Sequence, residues 1–364
     1  MAQGPDRRSV ILGLAATGAL PLTAFADTSS QTHFVACCRK GDGTFAAAVL
    51  DEDARLLFTE DLDARGHDSA FSPDGTKAVV FARRPGRFAI VLDLKAQRRV
   101  AAFEPPADRH FMGHGFFTRD GALLFASEND FDGERGVMGL YDVANGYRRI
   151  GEVETAGIGP HEVLLMRDQR TVAIANGGIL THPDFPRQKL NIPTMTPSLA
   201  YLDIASGEIV EQVSLPKDFH QLSIRHIAED AQGRIWFGGQ FEGSPLDGPP
   251  LAGFHARGQD IRFCDVDNAD WQAFDNYVGS VAASADGERI AMSSPRGGVL
   301  YVWDSKTGGI VSRRSIADVC GLAPEHSGFL ASDGAGIMHV DTGTARPFDA
   351  LAWDNHIAAL TRQG

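Results

Sequence analysis

The tripeptides Gly66-His67-Asp68, Gly113-His114-Gly115 and Pro160-His161-Glu162 each open a short apolar run, and successive histidines in this series are 47 residues apart. Arg225-His226-Ile227 and Asn355-His356-Ile357 open similar runs later in the chain. A fixed period of this size in strand-like sequence is typical of β-propellers, in which each repeat forms one blade. If each histidine begins the innermost strand of its blade, all five side chains point into one central channel.

The repeats share a plan of an apolar strand, a polar turn, a second strand, and a third strand that ends near an acidic residue. The clearest turn is Phe71-Ser72-Pro73-Asp74-Gly75, and the sequences at 118–121 and 284–287 repeat it. Proline and glycine preset the backbone dihedrals of such turns. Third strands are predicted at residues 89–93, 139–142, 199–203 and 300–304.

The number of inner strands gives the number of blades. Inner strands are predicted to start near His67, His114, His161, His226, Ser280 and Cys320, and a seventh, at 356–360, lies almost at the C-terminus. Its three outer strands are available at the N-terminus, at residues 34–39, 44–50 and 55–60. We therefore predict an all-β, seven-bladed β-propeller closed by a blade that the two chain ends share, which removes open sheet edges.

Residues 1–26 have the pattern of a signal peptide. Arg7 and Arg8 precede an apolar run, and Ala24-Phe25-Ala26 gives a small-x-small cleavage site. Paired arginines favour the twin-arginine route to the periplasm, with an ordinary Sec signal as the alternative. The apolar run is too short for stable membrane insertion. Residues 27–364 are then predicted to form a single propeller domain.

The charge and the cysteines restrict partners and redox chemistry. The net charge of −13 argues against nucleic acid as a partner, because an acidic surface repels phosphate backbones. Cys37 and Cys38 are adjacent in a strand-like run, so their side chains are expected to face opposite ways. A disulfide among the four cysteines is possible in an oxidising compartment, and buried free thiols are the alternative.

The repeated histidines are the first candidates for chemistry. Neutral imidazole binds transition metals, particularly iron, copper or zinc, and we single out His114, His161 and His226 as candidate metal ligands. A mixed set of histidines and carboxylates also suits a hydroxylated or quinone-like ligand. The alternative is that the histidines form hydrogen bonds around a water-filled channel that holds no ligand.

Polar residues at the ends of second strands are expected near the same channel mouth. Glu128, Asn176 and Gln240 occupy this place in three consecutive repeats, and antiparallel second strands return to the face where inner strands begin. Such residues are often only turn formers, which is the alternative interpretation.

Three further residues complete the predicted ligand-binding set. Glu162 follows His161 and is interpreted as a ligand, a hydrogen-bond partner of a histidine, or a member of a salt bridge. Arg225 offers a cation for an anionic group or pairs with a buried acid. His182 lies in a proline-rich insertion at 179–197, where it completes a site or orders the loop. This insertion and a second loop, at 242–250, are expected to cover one channel mouth. The full set is His67, His114, Glu128, His161, Glu162, Asn176, His182, Arg225, His226, Gln240 and His356.

Several motifs resemble the bacterial domain-of-unknown-function family 1513. They are GHGFF at 113–117, SEND at 127–130, GIGPHE at 157–162, ANGGI at 175–179, THPD at 181–184, PSL at 197–199, SIRH at 223–226 and DNH at 354–356. The resemblance implies an exported seven-bladed propeller similar to quinoprotein and YVTN-type propellers. Members are often encoded beside imelysin-type periplasmic proteins and a di-haem oxidase-like protein, which implies a role in iron acquisition with such partners.

The sequence is compatible with three functions. The first is a periplasmic propeller that binds a metal, ligand or protein partner at one channel mouth. The second is a lactonase-like hydrolase or an oxidoreductase that uses the same mouth, although GxSxG, HExxH and Walker motifs are absent. The third is a scaffold whose outer surface binds other proteins while the channel is inert.

Overall fold

The computed structural model describes residues 34–185, 188–326, 328–340 and 344–360, and nearly all of its regular structure is β-strand. The described residues form seven antiparallel sheets of four strands each, which confirms the predicted seven-bladed propeller. The predicted signal peptide, residues 1–26, lies outside the described residues and stays a prediction. No helix among the described residues has the length and apolar character needed to cross a membrane.

We number the strands β1–β28 along the chain and the blades 1–7 by their inner strands. The inner strands of blades 1–7 are β4 (Gly66–Phe71), β8 (Arg109–Phe117), β12 (Pro160–Leu165), β16 (Leu222–Glu229), β20 (Ser280–Ala283), β24 (Val319–Glu325) and β28 (Leu351–Ala359). The second strands are β5 (Lys77–Ala82), β9 (Leu123–Asp130), β13 (Thr171–Asn176), β17 (Ile235–Phe241), β21 (Arg289–Ser294), β25 (Gly328–Asp333) and β1 (Phe34–Lys40).

The outer half of each blade consists of a third and a fourth strand. The third strands are β6 (Ala89–Asp93), β10 (Arg135–Asp142), β14 (Ser198–Asp203), β18 (Ala252–His255), β22 (Val299–Asp304), β26 (Ile337–His339) and β2 (Phe45–Leu50). The fourth strands are β7 (Arg98–Phe103), β11 (Arg148–Glu154), β15 (Glu208–Ser214), β19 (Arg262–Phe263), β23 (Ile310–Ser315), β27 (Ala345–Pro347) and β3 (Leu56–Leu62). A short helix, α1 (Asn268–Ala273), joins blades 4 and 5, and two 3-10 turns lie at Ile192–Thr194 and Lys217–Phe219.

Blade 7 closes the ring as the sequence predicts. Its strand order is β28-β1-β2-β3, so the C-terminal strand pairs with the first described strand of the chain. Phe34 pairs with Ala359 and Lys40 with Leu351. The two chain ends therefore hold one sheet together, and neither leaves an inner sheet edge open.

The hydrophobic core lies between neighbouring blades. Second and third strands such as β9, β13 and β14 are buried along their whole length because adjacent sheets cover both of their faces. Fourth strands such as β15 and β23 alternate between exposed and half-buried residues because their outer face meets solvent. The four cysteines are buried free thiols. Cys37 packs between blades 7 and 1, whereas Cys38 packs between blades 6 and 7, as their adjacency predicted.

The predicted turns are built by aspartate side chains. In blade 1, Asp74 Oδ1 accepts hydrogen bonds from the Ser72 hydroxyl at 2.6 Å and from the backbone N–H of Thr76 at 3.1 Å. Gly75 adopts a φ of +67°, which favours glycine. Blades 2 and 5 repeat the hydroxyl–aspartate pair at 2.6 Å. The repeated sequence motif therefore marks the same turn between first and second strands.

One detail of the prediction is corrected by the structure. His114, His226 and His356 do not begin their inner strands, which start several residues earlier, at Arg109, Leu222 and Leu351. Each of these histidines instead lies at a break in the register with the second strand, where the inner strand carries extra residues. A β-bulge of this kind lets the strand pair on both sides while redirecting side chains locally.

Candidate metal-binding site in the channel

Five imidazole rings from five successive blades meet in the central channel. We call them the channel histidines: His67, His114, His161, His226 and His356. Eight of the ten possible pairs have ring centroids between 4.5 and 6.1 Å apart. All five residues are at most 9% exposed. The structure therefore places the five predicted histidines in one compact, buried cluster.

Bulges place these rings in the channel. The register between inner and second strand shifts at or next to the histidine in blades 1, 2, 3, 4 and 7. In blade 2 the bulge includes Gly113, whose φ of +101° is unfavourable for other residues. A Cβ atom on Gly113 would lie 2.3 Å from Cδ2 of His67. Glycine at this position therefore allows rings from blades 1 and 2 to approach closely.

Two carboxylates orient two of the rings across blade boundaries. Asp68 Oδ2 lies 3.0 Å from Nδ1 of His114, and Glu162 Oε2 lies 3.2 Å from Nδ1 of His226. Glu162 Oε2 also accepts the backbone N–H of Ile227 at 3.1 Å. With Nδ1–H donated to an acid, Nε2 of each ring keeps its lone pair for another partner. This carboxylate–histidine arrangement commonly orients metal ligands.

Several ring nitrogens in the cluster have no hydrogen-bond partner among the described residues. They are Nδ1 of His67 and of His161, and Nε2 of His114 and of His356, and all four atoms are buried. Leaving a buried polar atom unpaired costs roughly 1–3 kcal/mol. Four such atoms in one cluster point to partners other than protein groups, such as ordered water or an ion.

The electrostatics of the cluster keep most of its rings neutral. Burial, reinforced by neighbouring imidazoles and arginines, lowers the pKa of His67, His161, His226 and His356 well below its ordinary value. Burial also opposes charge on His114, but the hydrogen bond and the charge of Asp68 outweigh it and raise the pKa of His114. Neutral imidazole is the form that binds metals.

Burial has the opposite effect on the second acid. It raises the pKa of Glu162 to about 8, reinforced by the charge of Asp68 and opposed by His114. Glu162 therefore carries a proton at neutral pH in the metal-free cluster. A cation placed among the rings would favour its ionised form.

The cluster contains two sets of three nitrogens with spacings near those of a metal site. The candidate ligand atoms of His67, His114 and His161 lie within 4.8 Å of one another, and so do those of His114, His226 and His356. Metal–nitrogen bonds of about 2.1 Å place two ligands at most about 4.2 Å apart. The ligand atoms of either set therefore have to come somewhat closer together to share one ion. His114 belongs to both sets.

Glu128 and Asn176 have their contacts within and between blades. Glu128 accepts a hydrogen bond from the Tyr141 hydroxyl at 2.5 Å and pairs with Arg149 at 2.9 Å, a fully buried acid held by groups of its own blade. Asn176 donates to the backbone oxygen of Thr155 at 2.7 Å. These contacts do not bring either side chain to the channel histidines and suit a structural role.

Gln240 and His182 lie in the region of the two loops. Gln240 donates to the backbone oxygen of Val278 at 3.4 Å, next to the loop at 242–250. His182 Nε2 lies 3.3 Å from Asp132 Oδ1, and its Nδ1 accepts a hydrogen bond from the backbone N–H of Asp184 at 3.1 Å. These contacts hold the insertion against blade 2. Arg225 lies closer to the cluster, in the bulge that precedes His226, and is 7% exposed.

Sequence reasoning missed Asp68 as the partner of His114. The available signal was the dipeptide of histidine and acid, which occurs at His67-Asp68 and again at His161-Glu162, two repeats later. In both cases the acid reaches the histidine of the next blade. Arg83 and Arg84, which directly follow β5 at the same mouth, were also missed. They follow the end of a second strand, the position at which the sequence predicted site residues in other blades.

The fold and the cluster define the class of protein as a seven-bladed β-propeller with a buried, histidine-lined channel. The chain belongs to the family described as "Protein of unknown function (DUF1513)", whose model matches residues 60–360. This confirms the family that the sequence motifs indicated. A search of curated proteins finds no match.

The chain is also similar in fold to a solved structure, hydrazine synthase of Kuenenia stuttgartiensis. The TM-score is 0.63 at 13% sequence identity, and the match covers 92% of this chain and 100% of that one. At this identity the likeness concerns the propeller fold alone.

Proposed function

We propose that this protein binds a transition metal ion through the channel histidines and acts as an exported metal-binding propeller. The observation that carries the proposal is the group of five buried imidazoles whose candidate ligand atoms form two sets within 4.8 Å. His114, which is common to both sets, is assigned as the central ligand.

The donor chemistry favours iron, copper or zinc over calcium or magnesium. Imidazole nitrogen suits the transition metals, whereas calcium and magnesium require a shell of oxygen donors. The nearby carboxylates, Asp68 and Glu162, hold His114 and His226 through Nδ1. The same contacts weigh against a lactonase-like centre, because the oxygen donors support ring nitrogens.

The protonation state supports the same conclusion. Metal ions compete with protons for imidazole nitrogen, so a site with lowered histidine pKa values binds metal with little competition at neutral pH. Four of the channel histidines have lowered pKa values, whereas the raised pKa of His114 means that metal competes with a proton at this ring. A bound cation would also favour ionised Glu162, which strengthens its hydrogen bond to His226.

The test is metal analysis of the protein purified from the periplasm without chelators, followed by titration of the metal-free protein with Fe(II), Cu(II) and Zn(II). We expect about one tightly bound ion per chain and a rise in melting temperature on metal addition. His114→Ala is expected to abolish tight binding because both sets of ligands lose a member. His326→Ala is the matched control, since His326 is exposed and outside the channel. Absence of stoichiometric metal together with an unchanged melting temperature would rule out the proposal.

The cellular role that we propose is iron acquisition, with imelysin-like periplasmic proteins as partners. The support is the gene neighbourhood that the resemblance to this family implies, together with the paired arginines of the predicted signal peptide. Comparison of iron-limited growth between a deletion strain and strains complemented with wild type or His114→Ala tests this role. Equal growth of all strains under iron limitation would contradict it.

A further inference from the structure

A second chemical feature lies beside the channel histidines, an arginine without a partner. Arg225 is the extra residue of the blade 4 bulge, between Ile224 and His226. Its side chain is buried, and within the described part of the chain its guanidinium has neither a hydrogen-bond nor an ion-pair partner; its Nε is buried and unpaired. An isolated buried cation is costly unless something of opposite charge compensates it.

Arg84, from blade 1, approaches the same place. Its one hydrogen bond among the described residues runs from Nη1 to the Thr181 hydroxyl at 3.3 Å, which ties it to the insertion loop. Burial, together with the charges of Arg225 and Arg83 and against that of Glu242, lowers the pKa of Arg84 to about 10. The insertion loop also connects to the strand of Arg225, because the Ser223 hydroxyl donates to the backbone oxygen of Gly177 at 2.9 Å.

Two acids in this region are already engaged by other cations. Asp354 pairs with both Arg65 and Arg83, the latter at 2.9 Å. Glu242, the acid whose charge acts on both Arg84 and Arg225, forms its ion pair with Lys189. Neither acid is therefore left to form an ion pair with Arg84 or Arg225.

We propose that Arg84 and Arg225 bind an oxyanion, the carboxylate or phosphate group of a small ligand, at the channel mouth beside His226. Guanidinium groups bind both anions through paired, charge-assisted hydrogen bonds. Because Arg225 directly precedes His226, an anion held here lies next to the proposed metal site. Bridging between the arginines and a metal ion rests on the proposed function; anion binding itself does not.

The test is calorimetric titration of metal-free and metal-loaded protein with oxalate and, separately, with inorganic phosphate. Wild type is expected to bind at least one of the two anions without metal. Arg84→Gln and Arg225→Gln are each expected to weaken binding about ten- to hundred-fold, the loss of a charge-assisted hydrogen bond. Arg55→Gln, an exposed arginine on blade 7, is the control and is expected to bind like wild type. The tighter of the two anions identifies the group, carboxylate or phosphate.

A stability measurement separates anion binding from a structural role. Without anion, Arg225→Gln is expected to melt at the same temperature as wild type or higher, because it removes an uncompensated buried cation. With oxalate or phosphate, wild type is expected to gain thermal stability and the variant is not. Absence of binding to wild type, unchanged affinity in both variants, or a lower melting temperature of the variant without anion would overturn the inference.

The two proposals fail separately. Arginine-dependent anion binding by a protein that takes up no metal supports this inference and removes the proposed function. Metal binding without anion binding does the reverse.

Discussion

Gly113 offers a sharp test of whether ring placement in the channel matters for metal binding. Replacing Gly113 with alanine adds one methyl group whose carbon would lie 2.3 Å from Cδ2 and 2.9 Å from Cγ of His67. Ordinary contacts between carbon atoms are about 3.5–4.0 Å, so the His67 ring has to move by roughly 1 Å. Metal sites tolerate displacements of only about 0.2 Å in their bond lengths.

The same substitution also strains the backbone. The φ of Gly113 is +101°, where side chains with a Cβ are rarely found, and such conformations cost about 1–3 kcal/mol. Overpacking of a tight cluster adds a further cost of about 1–3 kcal/mol. We therefore expect Gly113→Ala to lower the free energy of unfolding by about 2–6 kcal/mol and to weaken metal binding.

Gly146→Ala is the matched control. Gly146 also has a positive φ, +70°, but a Cβ there would meet nothing within 4 Å. The control is expected to show the backbone cost alone, about 1–2 kcal/mol, with unchanged metal affinity.

The assays are urea unfolding of metal-free protein and calorimetric titration with Fe(II), Cu(II) and Zn(II). Equal destabilisation by the two alanine substitutions would refute the reasoning that this glycine sets the approach of His67 to the cluster. Unchanged metal affinity in Gly113→Ala would contradict binding through His67 and leave the set His114, His226 and His356.

Three further outcomes follow from the contacts of the acids and the rings. We expect a 10- to 100-fold loss of metal affinity, roughly, from either Asp68→Asn or Glu162→Gln, because each removes the acid that orients His114 or His226. Titration beside the exposed control Asp61→Asn checks this, and affinities equal to the control would contradict it. Glu128→Gln is expected to lower the free energy of unfolding by about 3 kcal/mol, since it breaks a buried ion pair with Arg149, and to leave metal affinity unchanged. Urea unfolding and metal titration measure the two effects. A loss of affinity in a stably folded variant would place Glu128 in the metal site. Metal-free protein is expected to lose stability as the pH falls below about 6.5. Four channel histidines have lowered pKa values and stay neutral in the folded state, whereas the same rings take up protons in the unfolded chain. The expected loss of unfolding free energy is about 1 kcal/mol per ring by pH 5.5. Glu162 and His114 partly offset this loss, because a raised pKa favours the folded state as the pH falls, for Glu162 between about 8 and 4.5. A stability curve that stays flat or rises from pH 7.5 to 5.5 would contradict the balance.

The repeat carried most of the information about the fold. The 47-residue spacing of His67, His114 and His161 predicted blades, and the leftover strand near His356 predicted closure by both chain ends. Both follow from sequence because each blade has to bury the same faces against its neighbours. The bulges were not predictable in this way, since the number of extra residues differs from blade to blade.

Side-chain direction was the part of the site that strand reasoning predicted least well. Glu128 lies near the end of a second strand, yet its side chain meets Tyr141 and Arg149 inside blade 2. Successive strand residues point to opposite faces, so a shift of one position decides between channel and core. Asp68 shows the converse, because a bulge in blade 1 brings its carboxylate to His114 of blade 2.

Blades 5 and 6 show that the fold itself does not require imidazole in the channel. Blade 6 has a bulge like those of the histidine blades, but it holds Cys320 and Gly321, and blade 5 pairs its inner strand from Ser280 without a shift. A channel lined by small side chains would avoid four unpaired ring nitrogens, each costing roughly 1–3 kcal/mol. The five histidines therefore add a cost that the propeller does not need for folding, and the proposed metal ion would offset that cost by binding nitrogens that the protein leaves unpaired.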